Sequence, residues 1–414
     1  MEVLYPRCVG LDVHKDTVVA CVRLAADGRV HQEVRTFGTT TKELLALADW
    51  LRESECTHAA MESTGVYWKP VWHVLEDSLT LVLANAMHIR NVPGRKTDVN
   101  DATWIADLLA HGLIRGSFVP PAPVQAMRDL TRTRKQLVRE VAQHTQRLQK
   151  TLEDANVKLA SFVSDILGMS GRAILDAIAN GETDPEKLAD LTTGRLKASR
   201  AELVESLRGS VGDHHRFLLR LHLDQIDSLN RAVRDVEARL GTALDPFRDL
   251  EGLLMTIPGV SQTTARVILS EVGTDMSRFP TAGNLISWAG LCPGNDESAG
   301  KRRSTRLRKS GQWLKATLVQ SAWSGARKKG SYLKALFHRI RARRGAKKAA
   351  VAVAASMLTA AYHMLKTGVV YRDLTDAYFE ARDRTKLAKR LVKRLADLGL
   401  HVEVSPLPQE AATG

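Results

Sequence analysis

Four carboxylates in the first quarter of this chain have the residue type and placement to do chemistry: Asp12, Glu62, Asp98 and Asp101. Each follows a stretch with the pattern of a strand or opens a stretch with the pattern of a helix. Carboxylate oxygens suit hard divalent cations such as Mg²⁺ or Mn²⁺, and ions held in this way assist phosphodiester cleavage. Together the four acids predict a divalent-metal site that acts on nucleic acid.

Each acid alone has an ordinary structural interpretation. Asp98 could cap a helix, and Asp101 could be a favourable charge in its first turn. Glu62, which precedes Ser-Thr-Gly, could be a turn acid. Asp12 is harder to explain in this way, because a carboxylate on a buried strand needs a partner or a metal.

Ser298, in the last third of the chain, is the candidate nucleophile. It precedes an Ala-Gly pair that allows close backbone approach, and cations that could reach a phosphate follow it. A free hydroxyl is a poor nucleophile near neutral pH, and no histidine is nearby in sequence. Activation by the acid site requires the two regions to meet, and the alternative is a hydroxyl that only contacts phosphate.

The charge of the chain is unevenly distributed. Residues 301–350 contain 8 Lys and 9 Arg with no acid, so this stretch has a charge of +17. Because the whole chain has a net charge of +14, all other residues together sum to −3 (14 − 17). This composition predicts a polyphosphate partner whose binding weakens steeply with salt. The expected nucleic-acid contacts are Lys301, Arg302, Arg303, Arg306, Arg308 and Lys309.

Residues 253–266 have the pattern of a helix, a tight Pro-Gly turn and a second helix. In helix-hairpin-helix modules such a turn presents backbone N–H groups to a DNA phosphate, so Gly259 and Ser261 are further candidate contacts. Ser261 stands where a second glycine is often found. The alternative is a plain helix corner with Ser261 as the N-cap.

The elements that must position the acids are predicted from periodicity. The strand patterns cover residues 8–14, 17–24, 30–37, 58–63 and 80–85, and the helical patterns cover 41–53, 66–77 and 98–111. The order β-β-β-α-β-α-β-α is that of a ribonuclease H-like domain. In that layout Asp12 lies in the middle of the first strand and Glu62 ends its neighbour, while Asp98 and Asp101 share one helix face.

The remaining chain is predicted to be mostly helical, with shorter helices broken at Gly168, Asn180-Gly181, Asp184-Pro185 and Gly212. A Pro-rich linker at 119–124 separates a domain of residues 1–119 from a helical coiled-coil domain of 120–245, a C-terminal domain of 246–372 and a helical tail of 373–414. Heptad spacing over 219–243 favours self-association, and an antiparallel pair within one chain is the alternative. The histidines His144 and His222 on these apolar faces are interpreted as polar interruptions.

Composition also argues against several classes of protein. No apolar run is expected to reach the roughly 20 residues of a membrane span, and no signal-peptide pattern opens the sequence. The four cysteines, Cys8, Cys21, Cys56 and Cys292, form no C-x-x-C pair and are expected to be reduced core residues. These features indicate a cytoplasmic protein.

At this point the chain resembles the DEDD transposases of bacterial insertion sequences, the IS110 group, which also contains pilin-segment invertases. The motifs that carry the resemblance are Gly10-Leu-Asp-Val-His-Lys, Met61-Glu-Ser-Thr-Gly, Lys96-Thr-Asp-Val-Asn-Asp-Ala, Ile257-Pro-Gly-Val and Glu297-Ser-Ala-Gly-Lys. Each motif is weak alone, but their order and spacing are specific, and the resemblance covers nearly the whole chain.

The resemblance implies a fold and a reaction. The fold is a Holliday-junction-resolvase-like first domain, a coiled-coil middle and a C-terminal transposase domain. The metal ligands are Asp12, Glu62, Asp98 and Asp101, and the nucleophile is Ser298. Because no histidine is near Ser298 in sequence, our own hypothesis is that Asp101 accepts its proton. Such enzymes recombine double-stranded DNA of element ends and target, guided by a structured noncoding RNA. A dimer or tetramer is expected, associated with the nucleoid when active.

Two other functions fit parts of the sequence. A metal-dependent nuclease or junction resolvase would use water as the nucleophile and leave no protein-linked DNA. An architectural nucleic-acid-binding protein would need none of the acids.

Overall fold

The computed structural model describes residues 2–63, 65–85, 89, 101–193, 199–294, 296–298, 300–304, 306–307 and 311–404, with the backbone alone for 296–298, 302–303, 380 and 382–387. Two compact units make up the chain, residues Met1–Val119 and Pro120–Gly414. The first unit is a mixed α/β structure, and the second is mostly helical.

A five-stranded sheet forms the centre of the first unit. Its strands are β1 (Arg7–Val13), β2 (Thr17–Ala26), β3 (Arg29–Gly38), β4 (His58–Glu62) and β5 (Thr80–Ala84). The strand order is β3-β2-β1-β4-β5. The first three strands are antiparallel to one another, whereas β4 runs parallel to both β1 and β5. Asp27 and Gly28 both have positive φ (48° and 75°), which is the two-residue turn that matches hairpin twist.

Helices cover both faces of this sheet. Helices α1 (Thr41–Glu53) and α2 (Trp68–Leu75) pack on one face, and α3 (Asp101–Ala110) packs on the other. Alternation along β1 explains the division, since Val9, Leu11 and Val13 face α1 while Cys8 and Gly10 face α3. The five strand predictions and the helix at 41–53 are confirmed to within two residues.

The second unit begins with two long antiparallel helices. They are α4 (Ala122–Asp154) and α9 (Asp213–Leu244), and four short helices connect them: α5 (Leu159–Phe162), α6 (Met169–Ala179), α7 (Pro185–Asp190) and α8 (Arg200–Ser206). Leu148 and Leu152 of α4 share one buried core with Leu219 and Ile226 of α9. The breaks predicted at Gly168, Asn180 and Gly212 are all helix ends.

The pairing of α4 with α9 corrects our expectation that the heptad stripe of residues 219–243 mediates self-association. Leu219, Ile226 and Leu240 are each only 1% exposed, because α9 packs along α4 of the same chain. The apolar stripe therefore has its partner without a second copy, and the intramolecular alternative is the right one. A heptad pattern fixes which face is apolar, and it does not fix which helix covers that face.

The rest of the unit is a bundle of shorter helices with one small hairpin. The helices are α10 (Arg248–Met255), α11 (Gln262–Val272), α12 (Ala282–Trp288), α13 (Gln312–Gly325), α14 (Tyr332–Arg344), α15 (Ala346–Thr367) and α16 (Ala377–Asp397), and the hairpin strands are β6 (Asp296–Ser298) and β7 (Lys301–Ser304). An ion network joins this bundle to α4: Arg132 forms two bonds of 2.8 and 2.9 Å with buried Glu271.

Helix α15 corrects the prediction that no apolar run approaches membrane-spanning length. By length and composition alone its 22 residues could cross a membrane. Half of its most apolar stretch is buried, and the helix packs against α12, α13 and α14. The Tyr362 hydroxyl donates a 3.0 Å hydrogen bond to the Phe279 carbonyl. These contacts are those of a core helix.

All four cysteines are free, and the predicted core position is confirmed for Cys8, Cys21 and Cys56 but is wrong for Cys292, which is half-buried. Burial raises the pKa of the Cys8 thiol to about 12 and that of Cys56 to about 11, so both stay protonated at neutral pH.

Candidate functional site

Two of the predicted acids lie side by side at the carboxyl ends of parallel strands. Leu11 of β1 is the register partner of Met61 of β4, so Asp12 and Glu62 follow at the same level on neighbouring strands. Both belong to the face that α3 covers, because side chains alternate along each strand and Ala60 packs against α3. Asp12 is thus the penultimate residue of β1, and the prediction that it lies mid-strand was wrong.

Helix α3 brings a third acid to this end of the sheet. It runs antiparallel to β1: the Leu4 N–H donates to the Ala110 carbonyl at 2.8 Å, and Gly10 lies beneath Ala102 and Ala106. The start of α3 therefore lies at the carboxyl end of β1, with exposed Asp101 as its first residue. Gly10 permits this, since a Cβ there would lie 2.1 Å from the Ala102 carbonyl oxygen.

The acids differ in their surroundings. The Asp12 side chain is 22% exposed, and its Oδ2 lies 3.2 Å from Nε2 of His14. Asp98 lies outside the described residues. Among the residues that the structure does describe, no group of three or more potential ligands is close enough to hold a metal ion. The fold thus gathers Asp12, Glu62 and Asp101 at one edge without showing a formed metal cage.

Ser298 ends β6, the first strand of a short hairpin. Its backbone pairs with Lys301 of β7, and Gly300 between them has φ +74°. Lys301 and Arg306 are exposed. The side chains of Ser298, Arg302 and Arg303 lie outside the described atoms, and Arg308 and Lys309 lie outside the described residues.

The helix corner at 255–262 has the structure of the simpler alternative. Ser261 is the N-cap of α11, and its hydroxyl accepts a 3.3 Å hydrogen bond from the Thr264 N–H. Gly259 has φ +86°, and a Cβ there would lie 2.4 Å from the Gly325 nitrogen of α13. The backbone of this turn packs closely against the backbone of α13, which accounts for the glycine at position 259.

Exposed cations extend along the surface of the helical bundle. The exposed members outside the hairpin include Arg327, Lys328, Lys329, Arg341, Arg343, Arg344, Lys347 and Lys348. Within the described part of the chain, none of these eight forms an ion pair with an acid, so their charge is available to a partner.

The two histidines interpreted as polar interruptions contact each other across the α4–α9 pair. Their Nδ1 atoms are 3.2 Å apart. Burial lowers the pKa of His222, and the neighbouring His144 and Arg147 lower it further.

Helix α4 carries a basic cluster that was not predicted from the sequence. Trp313 of α13 has three cations within 5.7 Å of its ring centre: Arg132, Lys135 and Arg139. The cations at 128, 132, 135 and 139 follow helical spacing, so the pattern was present in the sequence. Its tryptophan partner is more than 170 residues away and could not be inferred.

Two protein-family models match this chain. A DEDD transposase family model matches residues 9–157, and the model described as "Transposase IS116/IS110/IS902 family" matches residues 251–338. Together the matches cover more than half of the chain.

Two curated relatives carry transposase names. A protein of Pseudomonas aeruginosa named as a family 20 transposase is 24% identical over 66% of this chain and 72% of its own length. A Streptomyces coelicolor protein named as the mini-circle transposase for IS117 is 28% identical over 57% of this chain and 64% of its own. With both family models matched in order, the chain belongs to the IS110 family of DNA transposases.

Proposed function

We propose that this transposase recombines DNA through a covalent link between Ser298 and a DNA phosphate, assisted by a Mg²⁺ or Mn²⁺ ion that Asp12, Glu62, Asp98 and Asp101 hold. The observation that carries the proposal is the position of Asp12 and Glu62 near the carboxyl ends of neighbouring parallel strands, with Asp101 at the start of the helix that packs on them. Carboxylates at the same end of a sheet repel one another, and a bound cation would offset that repulsion.

The sheet supports a ribonuclease H-like assignment of the first unit. The support is the strand order, in which β1 is central and β4 runs parallel beside it, with Asp12 on β1, Glu62 on β4 and Asp101 at the start of α3. We also propose domain boundaries at residues 119, 245 and 372. This division of the chain stays a prediction.

The donor chemistry at this edge fits the proposed ion. The three described acids offer only carboxylate oxygens, which hard divalent cations prefer. When bound, such an ion would offset negative charge on the phosphate. The close approach of the Gly10 and Ala102 backbones would hold the start of α3 in a fixed position relative to β1.

The hairpin supports the nucleophile. Ser298 shares a turn with Lys301, which is exposed and free to approach a phosphate oxygen. In the proposed step the Ser298 Oγ–phosphorus bond forms and the bond to a deoxyribose oxygen breaks. A carboxylate of the acid set accepts the serine proton, and the departing deoxyribose oxygen becomes a hydroxyl.

The partners follow from the same proposal. Double-stranded DNA at element ends and target is the substrate, and a structured noncoding RNA is the guide. The exposed cations of the helical bundle and the Gly259–Ser261 corner are proposed contacts. Joining two duplexes needs several active sites, so we propose a dimer or tetramer that acts in the cytoplasm at the nucleoid.

The decisive experiment traps the covalent link. End-labelled DNA that carries an element end is incubated with protein, co-purified RNA and Mg²⁺, and is resolved on a denaturing gel. Ser298→Ala should abolish the protein-linked band while RNA binding survives. Ser304→Ala, in the adjacent strand of the same hairpin, is the matched control and should keep the band.

The same assay separates the rival reaction. Free DNA ends without a protein-linked band, unchanged in Ser298→Ala, would identify a nuclease or resolvase that uses water. Asp12→Asn should abolish cleavage under either scheme, whereas Asp16→Asn, on the exposed turn beside it, should not. Full activity of Asp12→Asn would remove the acid site from the reaction. Sequencing the RNA that co-purifies tests the guide.

A further inference from the structure

A cavity of about 680 Å³ opens between the two long helices and the helical bundle of the second unit. Its walls come from α4, α9, α11 and α13, and four of its lining residues are basic: Arg134, Lys135, Arg139 and Arg266. This space is large enough for a phosphate group together with parts of the sugars on either side of it.

Two of these four cations are neutralised. Arg134 forms a 2.6 Å ion pair with Glu237, which lines the same cavity, and Arg266 forms one of 2.7 Å with Glu251. Lys135 and Arg139 have no acidic partner within the described part of the chain. The cavity therefore keeps two positive charges that nothing in its described walls balances.

Lys135 is held in a costly position. Burial lowers its pKa and the neighbouring Arg139 lowers it further, against a smaller opposing effect of Glu271. Among the described residues its ammonium donates to the Trp313 carbonyl at 3.4 Å and the Thr317 hydroxyl at 3.3 Å, both long bonds. An ammonium so placed is stabilised when an anion enters the cavity.

Trp313 groups the cations at the rim. The Lys135 nitrogen lies 5.7 Å and the Arg139 guanidinium carbon 5.5 Å from the centre of its ring. Cation–π attraction holds both near one indole despite their mutual repulsion. The two charges are thereby presented together, as a phosphate with several oxygens requires.

The remaining wall supplies neutral donors. Ser261, Gln262 and Thr263, at the start of α11, line the cavity opposite α4, and Gln320 and Ser324 line it from α13. Hydroxyl and amide groups can donate to phosphate oxygens that the two cations leave unbonded.

We propose that this cavity binds a backbone phosphate of double-stranded DNA, with Lys135 and Arg139 as the charged contacts and Trp313 as their positioning residue. The inference deepens the proposed function and rests on its DNA substrate alone, not on the serine or the guide RNA. It places a DNA contact on the long helix, outside the basic stretch 301–350.

The test measures DNA binding against salt. Lys135→Gln/Arg139→Gln is compared with Arg147→Gln/Lys150→Gln, which removes the same charges from exposed positions of the same helix. Binding to a labelled 30-base-pair DNA duplex is followed by fluorescence anisotropy. The cavity variant should bind on the order of tenfold or more weakly than the control. The slope of log K against log salt should flatten by about 0.9, the value for one lost phosphate contact.

Three results would overturn the proposal. Equal affinities and slopes for the two double variants would show that the cavity makes no DNA contact. Loss of binding to a matched RNA duplex with unchanged DNA binding would assign the cavity to RNA. Binding of millimolar ATP or inorganic phosphate that Lys135→Gln/Arg139→Gln abolishes, with DNA affinity unaffected by either, would assign the cavity to a free anion.

A second variant guards against misfolding. Arg139 is exposed, so Arg139→Glu should leave the melting temperature unchanged while it weakens DNA binding more than Arg147→Glu does. The two proposals also fail separately. If Ser298→Ala keeps the covalent band while Lys135→Gln/Arg139→Gln still changes the salt dependence of DNA binding, the serine proposal fails and the cavity proposal stands.

Discussion

Gly10 is the residue whose replacement tests most directly how the fold positions the acids. The α carbon of Gly10 faces α3, and an added Cβ would lie 2.1 Å from the Ala102 carbonyl oxygen and 2.4 Å from the Ala106 nitrogen. Both are backbone atoms of a hydrogen-bonded helix, so no side-chain rotation can relieve the overlap. Gly10→Ala must therefore displace the helix that carries Asp101 from the strand that carries Asp12.

The size of the effect follows from these distances. The helix must withdraw by about 1 Å to restore ordinary contact between carbon and oxygen. Overpacking of this kind costs about 3 kcal/mol, which corresponds to a drop in melting temperature of roughly 10 °C for a unit of this size. A displacement of about 1 Å at a catalytic group can lower the rate about 100-fold.

The assay combines thermal unfolding with DNA cleavage at a temperature where the variant is folded. Gly116→Ala is the control, because its Cβ would meet only Val82 at 3.5 Å, which is ordinary contact. If folded Gly10→Ala cleaves DNA as fast as Gly116→Ala, the close seating of α3 does not position the acids, and the reasoning fails.

Two further predictions concern the second unit. Glu271→Ala should lower its stability by about 3 kcal/mol, because it leaves half-buried Arg128 without its carboxylate, whereas Glu205→Ala at an exposed pair with Arg208 should cost at most about 0.5 kcal/mol. Similar melting temperatures for the two variants would contradict this. For His222, burial and the neighbouring His144 lower the pKa in the folded state, so the unfolded chain binds the proton first. Stability should therefore fall as pH drops through about 6.5. In His222→Gln the melting temperature should depend less on pH between about 7.5 and 5.5. An unchanged pH dependence in that variant would refute the assignment.

Local patterns in the sequence were sufficient for most of the elements. Alternating apolar residues located the five strands of the first unit, and the helix at 41–53 was predicted with its observed bounds. Breaks at Gly168 and Gly212 marked helix ends, because glycine is disfavoured inside helices. The motifs around Asp12, Glu62 and Asp101 singled out acids that lie near the carboxyl ends of β1 and β4 and at the start of α3, and their role as metal ligands stays a prediction.

Other features could not be reached from periodicity. The stripe from Leu219 to Ala243 predicted an apolar seam, but α4 of the same chain covers it. At Ser261 the sequence allowed two interpretations, and the structure shows its hydroxyl as a helix cap. Gly259 was assigned to phosphate contact, yet its place against Gly325 also explains it.

By itself, then, the sequence determined the strands and helices, the charge imbalance and the family motifs. These depend on neighbours in the chain or on counts of residue types. Only the tertiary structure decided which surfaces meet: α4 with α9, Gly10 with Ala102, and Lys135 with Trp313. Such contacts join residues distant in sequence, and an apolar or charged face carries no local record of the surface that will cover it.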